Sequence, residues 1–177
     1  MLASSRGHYD IAKMLIEAGA DIHCANNNAT NALLWSAANS DANIMTLLLE
    51  HGADLNSRNK HGVAAIHAAV ENSSLNGAKQ ALMAGQDPNL TDSDGSAPLH
   101  LAAAIGDVDI MKLLVESGAD IDLQNGNHET PLEISIACNN GLAIAYLLSV
   151  IEKRDMTSLL GQLDQLGVDG SKKQKSL

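Results

Sequence analysis

Residues 97–120 read Ala97-Pro98-Leu99-His100-Leu101-Ala102-Ala103-Ala104-Ile105-Gly106-Asp107-Val108-Asp109-Ile110-Met111-Lys112-Leu113-Leu114-Val115-Glu116-Ser117-Gly118-Ala119-Asp120. Pro98 fits the first turn of a helix, where its missing N–H costs little and its fixed φ is already helical. Ala102 and Ala103 are small, as two closely approaching helices require, and Gly106 lets the chain leave in a left-handed conformation. Ile110, Leu113 and Leu114 then fall at i, i+3 and i+4, one apolar stripe of a second helix that Gly118 ends. The stretch therefore reads as two short helices joined by a tight turn.

Outward from it the pattern recurs. Gly-Ala-Asp stands at Gly19-Ala20-Asp21, Gly52-Ala53-Asp54 and Gly118-Ala119-Asp120, with Gly85-Gln86-Asp87 between, and the step from Gly52 to Gly85 is 33 residues. In phase with it run Asn31-Ala32-Leu33-Leu34, Ala64-Ala65-Ile66-His67, Ala97-Pro98-Leu99-His100 and Thr130-Pro131-Leu132-Glu133. Ser36, Ala37 and Ala69 repeat the small residues, Ile44, Leu47 and Leu48 repeat the stripe, and Thr130 can cap the helix that Pro131 starts. The polar stretches Arg58-Asn59-Lys60-His61-Gly62 and Thr91-Asp92-Ser93-Asp94-Gly95 suit projecting turns, which would stand in a row like fingers. A fixed internal period marks a repeat array, and because one helix pair cannot bury its stripe alone, stability comes from stacking.

These residues resemble the ankyrin-repeat family, whose unit carries Thr-Pro-Leu-His, then Ala-Ala, an Ile-Val/Leu-Leu-Leu helix and Gly-Ala-Asp. The resemblance covers about residues 2 to 150 as about five units, the first truncated. The fold it implies is an all-α ankyrin-repeat solenoid of stacked helix-turn-helix units with projecting β-turn or hairpin fingers, over residues 1–151. The function it implies is recognition of a protein partner by the fingers and the inner faces of the first helices, as a scaffold or adaptor. On those positions stand Asn27, Asn28 and Thr30; Arg58, Lys60, His61 and Val63; Asp92, Ser93, Asp94 and Ser96; and Asn127 and Glu129. The helix edges add Arg6, Asn39, Glu71 and Ile105. Because the second finger carries Arg58 and Lys60 and the third Asp92 and Asp94, the partner is expected to present acid to one and base to the next, which mainly sets specificity and association rate. The family's histidine, here His67 and His100, is structural and bonded near the finger base; neighbours roughly 8–10 Å apart cannot share one metal. Asn56 and Asn89, two residues after the Asp of their units, hold the place at which ankyrin domains resemble substrates of an asparaginyl hydroxylase; His23 and Asp122 hold it elsewhere.

The irregular places carry expectations of their own. Gly77 and Gln80 stand where neighbouring units have Ile and Leu, and a helical Gly costs about 1 kcal/mol relative to Ala, so the third unit is expected to be the weak point, by drift or as a flexible joint. Trp35 replaces a Leu of the first helix and is expected in the core, with an anchor at the concave face as the alternative. The first unit starts inside its first helix at Leu2, leaving a core edge to be covered by something upstream or bound. After Ala143, Tyr146 and Leu147, no Gly-Ala-Asp follows; Leu159, Leu160, Leu163 and Leu166, ended by Gly167, predict a capping helix over 152–167. Residues 168–177, with Lys172, Lys173 and Lys175, read as a disordered tail.

Composition narrows the function. The 177 residues carry a formal net charge of -10 and 2% aromatic residues with no Phe, which argues against a nucleic-acid backbone or base-stacking partner. Cys24 and Cys138 show no C-x-x-C spacing and suggest reduced thiols in a cytoplasmic or nuclear protein. No apolar run approaches the roughly 20 residues of a membrane span, and no basic-then-apolar leader is present. The triplets beginning at Asn28, Asn72 and Asn89 read as accidental without such a leader. Asp92-Ser93-Asp94-Gly95 begins like a calcium loop, but Ala103 stands where the distal Glu is needed. Asp107 and Asp109 read as helix-start charges, and His8, His23, His51, His61 and His128 fall in no metal-ligand spacing. No phosphate loop, nucleophile elbow or deaminase signature occurs. The expectation is a non-enzyme without cofactor or metal, monomeric or part of a longer array. The other readings are a regulatory segment of a larger enzyme, channel or signalling protein, and the hydroxylase substrate.

Overall fold

The computed structural model describes residues 1–39 and 42–165, with residues 42 and 161–165 described by their backbone alone. Within them ten α-helices form five pairs: α1 (Leu2–Ser5) with α2 (Tyr9–Glu17), α3 (Ala32–Ala38) with α4 (Ala42–Glu50), α5 (Ala65–Glu71) with α6 (Leu75–Met83), α7 (Pro98–Ile105) with α8 (Val108–Glu116), and α9 (Pro131–Ala137) with α10 (Gly141–Gln165). The first helices pack side by side in chain order, as do the second helices. The result is two layers of helices with no strands among the described residues; a single antiparallel bridge joins Ala25 and Asn31.

Each first helix must cap its N-terminal N–H groups, and the repeat solves this differently from unit to unit. Asn31 accepts from the Leu34 N–H at 3.1 Å. Ala64 and Ala97 have no side-chain acceptor, and there the histidine three residues on takes the Ala N–H on its Nδ1, at 3.3 Å from His67 and 3.0 Å from His100. Thr130 and Glu133 close a reciprocal capping box. The second helices α2, α4, α6 and α8 end alike. Gly19, Gly52, Gly85 and Gly118 have φ of 82°, 88°, 99° and 95°, and open space surrounds each, so glycine is required there by the left-handed backbone alone. These glycines hold equivalent places in successive layers, as the 33-residue period demands.

The core is built from Leu33, Ile44, Leu48, Ile66, Leu99, Ile110, Met111, Leu114 and Leu147, with Ala37, Ala69, Ala102 and Ala103 between the closely set helices. At the first unit the pattern is exposed. Ile11, Met14 and Leu15 are 47%, 59% and 49% accessible, whereas Ile44, Leu47 and Leu48 one unit on are 0%, 6% and 2% accessible. The apolar row of α2 is thus an uncovered edge of the same stripe that is core elsewhere.

Two expectations are corrected. At the third unit Gly77 is a close contact and not a gap. A Cβ on Gly77 would stand 2.0 Å from the Ala37 carbonyl oxygen, so glycine is what lets α6 approach the end of α3. Gln86, in place of the Ala of Gly-Ala-Asp, is 4% accessible. Its Oε1 accepts from the Ile66 N–H at 2.8 Å and its Nε2 donates to the Leu55 carbonyl at 2.7 Å, bridging the second and third units. Nor is there a separate capping helix beginning at 152. Helix α10 runs unbroken through that position, because no glycine or proline interrupts residues 142–160. Leu159 and Leu160 are 55% and 56% accessible, so these members of the expected stripe are not packed on the stack. The Leu163 side chain, Leu166, Gly167 and the expected tail lie outside the described residues.

Candidate functional site

The fingers are built from one repeated device. Asn26, Asn59, Asp92 and Asn125 occupy the same position in the four turns, and the side-chain oxygen of each accepts the backbone N–H groups two and four residues on, at 2.8 to 3.1 Å. A short side chain with an sp² oxygen suits such a turn. The residue three after each is left-handed: Ala29, Gly62, Gly95 and His128 have φ of 59°, 73°, 74° and 63°. Successive fingers are joined by backbone bonds, Lys60 N–H to Asn28 C=O at 3.0 Å, Ser93 N–H to His61 C=O at 3.0 Å and Gly126 N–H to Asp94 C=O at 2.9 Å.

This geometry sorts the expected contact residues. Asn27, Asn28, Lys60, His61, Ser93, Asp94 and Asn127 are exposed at or beside the tips, while Thr30, Ser96 and Glu129 are half-buried at the finger bases. Val63 is only 8% accessible; it belongs to the core beneath the second finger rather than to its exposed tip, a correction that follows from its N–H being drawn back to Asn59. Arg58 is exposed but engaged, its Nη1 donating to the Thr91 carbonyl of the next finger at 2.7 Å. The Asp92 carboxylate is likewise taken up inside its own turn. Of the expected charge pairs, Lys60 and Asp94 are the members at the tips. Asn39, expected on a helix edge, is half-buried and donates to the Ser5 carbonyl at 3.1 Å.

Between the first two fingers and helices α3 and α5 lies a groove of about 340 Å³, lined by Trp35, Glu71, Asn28, Asn59, Ala68 and Asn72 among others. Trp35 is 39% accessible, which overturns the core reading favoured from sequence. One unit on, its place is taken by Ala68, whose methyl group cannot cover an indole, so the ring stays open to solvent on the inner face. At Glu71, partial burial first and the negative charge of Asp92 second raise the carboxyl above the ordinary glutamate value, with His61 opposing.

The two buried histidines are structural, as expected. His100 Nε2 lies 2.9 Å from the Leu123 carbonyl and 3.2 Å from the Glu129 carbonyl, tying the fourth unit to the next finger. His67 is turned the same way, toward Leu90 and Ser96, but its Nε2 closes no hydrogen bond. Burial lowers its pKa, against the opposing charge of Asp92. The Asn89 amide donates to the Gly118 carbonyl at 3.1 Å and accepts from the Asp120 N–H at 2.7 Å, whereas Asn56 is exposed. Among the described residues no group of three or more His, Cys, Asp or Glu could hold a metal ion, and no helix is long and apolar enough to cross a membrane.

Sequence reasoning missed the finger device and Gln86, and favoured a buried Trp35 over the exposed anchor it offered as the alternative. The first was legible as Asn or Asp recurring at 26, 59, 92 and 125; the other two depend on which neighbour is small. Compared with known families, the chain matches Ankyrin repeats (3 copies) over residues 1–92 and 75–157. No curated protein matches it.

Proposed function

The chain belongs to the ankyrin-repeat family, whose repeats are in general protein-interaction modules, and from that premise we propose that it is a scaffold or adaptor, not an enzyme, whose protein partner lies along the finger tips and the inner faces of the first helices. The observation that carries the reading is Trp35, the one tryptophan of the chain, standing 39% accessible on the inner face. A large ring left open beside exposed polar tips is the composition of a binding hot spot. Lys60 and Asp94 set the charge pattern the partner meets, acid toward the first and base toward the second. A photo-crosslinking residue placed at Asn28, His61 or Asp94 should capture the partner in cells, and one placed at Lys79 or Lys112 on the second helices should not. Capture from the second helices alone would reject this face.

The uncovered row on α2 favours a second reading, in which the stack serves as a regulatory segment packed against further protein mass. Fusing one idealised repeat ahead of Leu2 should raise the melting temperature if Ile11, Met14 and Leu15 are a stacking surface; an unchanged melt counts against it. As a modification substrate, Asn56 is the better exposed of the two candidate asparagines, and peptide mass analysis of the protein from its own cells decides that question.

A further inference from the structure

The groove around Trp35 has more chemistry than a generic contact surface. Trp35 on α3 and Glu71 at the end of α5 line it together, with Asn28, Asn59 and Asn72 among the other lining residues. An aromatic face attracts a cation through its quadrupole. A carboxylate with acceptor sites to spare takes a guanidinium in a two-bond fork. Among the described residues Glu71 forms no ion pair, and the chain as a whole carries a net charge of -10. Arg58 on the second finger is engaged with the Thr91 carbonyl, and His61 is the basic group whose charge acts on Glu71.

We infer that this groove takes an arginine side chain of the partner, its guanidinium stacked on the Trp35 indole and facing the Glu71 carboxylate. Resting on the proposed protein-binding reading, the assignment names the group recognised at its centre. Arginine is favoured over lysine because a planar, weakly hydrated guanidinium can lie on a ring and present paired N–H groups edge-on, whereas an ammonium is a point charge that keeps its water. Asp92, a second negative charge that acts on the exposed Glu71 carboxylate, sharpens the preference for a positive group. The volume of about 340 Å³ falls at the small end of ligand pockets, suited to one side chain with its flanking backbone.

The single tryptophan makes the test site-specific, because its fluorescence and its indole N–H resonance report this groove alone. The full chain is titrated with an acetylated, amidated Ala-Ala-Arg-Ala-Ala peptide and with otherwise identical peptides carrying lysine, citrulline or glutamate at the centre. Saturable shifts of the Trp35 indole with the arginine peptide are expected, with the neutral isostere citrulline about tenfold weaker, the worth of one charge-assisted interaction. Glu71→Gln, which keeps the shape, should weaken the arginine peptide by about the same factor while leaving the citrulline peptide unchanged. The tryptophan variant Trp35→Leu should fold, since the equivalent positions are Leu101 and Ile134, and backbone amide shifts at Asn28 and Asn72 should then lose their saturation with every peptide. Equal binding of the arginine and citrulline peptides, or no effect of Glu71→Gln, overturns the assignment. If it fails while crosslinks from Asn28 or His61 still capture a partner, only the arginine is wrong; if those crosslinks also fail, the concave face falls with it.

Discussion

In the fourth unit the helix ends keep the repeat's pattern, with Asn140 of the fifth unit adding bonds to the Ala103 and Ala104 carbonyls. Pro98 starts α7, Gly106 leaves it at φ 83°, Asp107 caps α8 through the Ile110 N–H, and both His100 ring nitrogens are within hydrogen-bonding distance of backbone groups. The third unit keeps the cap of its second helix, Ser74 Oγ accepting from the Gly77 N–H at 3.1 Å, and departs from the rest. It begins with Ala65 rather than proline, leaves α5 through Ser73 at φ 50°, and its His67 has an unpartnered Nε2. It holds its place by closeness to the second unit instead, through Gly77 against the Ala37 carbonyl, Ser74 Oγ donating to the Asn39 carbonyl at 3.1 Å, and the two bonds of Gln86. The contrast teaches that a repeat can leave its family pattern and still be bound closely to its neighbour, by contacts made across the boundary.

The comparison is most severely tested at Gly77. Replacing a helical glycine by alanine ordinarily gains about 1 kcal/mol. Here the added methyl meets backbone, and Gly77→Ala should instead destabilise by about 3 kcal/mol, as overpacking does; urea unfolding followed by circular dichroism reads the sign directly. Gln86→Ala restores the Gly-Ala-Asp pattern, yet it leaves the Ile66 N–H and Leu55 C=O without Gln86. It should cost about 2 kcal/mol, and a neutral or stabilising result would mean that the bridge does not support the unit.

The histidines sharpen the same contrast through pH. In the unfolded chain His67 takes up a proton near the ordinary value of 6.5, whereas the buried ring does so only at lower pH. The unfolded state therefore binds more protons in this window. Stability should fall as pH drops from about 6.5 through the lowered folded value, by at most about 1.4 kcal/mol per pH unit for one proton. Melts from pH 7 to 5 should show this slope, and His67→Asn should flatten it. The smallest effect belongs to the link that the fourth unit makes onward. Arg154 of α10 pairs with Asp122 on the exposed surface, and Arg154→Ala should move the melting temperature within experimental error even at low salt.

Much of the architecture could be read from residues alone because it rests on constraints every unit shares. A glycine is needed wherever the second helix ends left-handed, and Gly19, Gly52, Gly85 and Gly118 mark those places unaided. The site was less legible. Whether Trp35 is buried depends on Ala68 being too small to cover it, and whether Val63 is a contact depends on how its finger folds back. A comparison of units does not reveal the purpose of Gly77 or Gln86, since each answers one neighbouring region, Ala37 in one case and Leu55 with Ile66 in the other. The helix that crosses residue 152 is hidden for a different reason: the repeat signature ends there, yet residues 142–160 hold no glycine or proline to stop a helix.

The backbone bonds from Lys60 to Asn28, from Ser93 to His61 and from Gly126 to Asp94 set the pitch of the fingers through main-chain atoms, with the Arg58 side chain adding a bond to the Thr91 carbonyl between the second and third. The side chains at their ends therefore carry no duty in keeping that pitch. Exchanging Lys60 or Asp94 alters what the comb reads without altering the distance between its teeth, so new specificities can be written one tooth at a time on an unchanged frame.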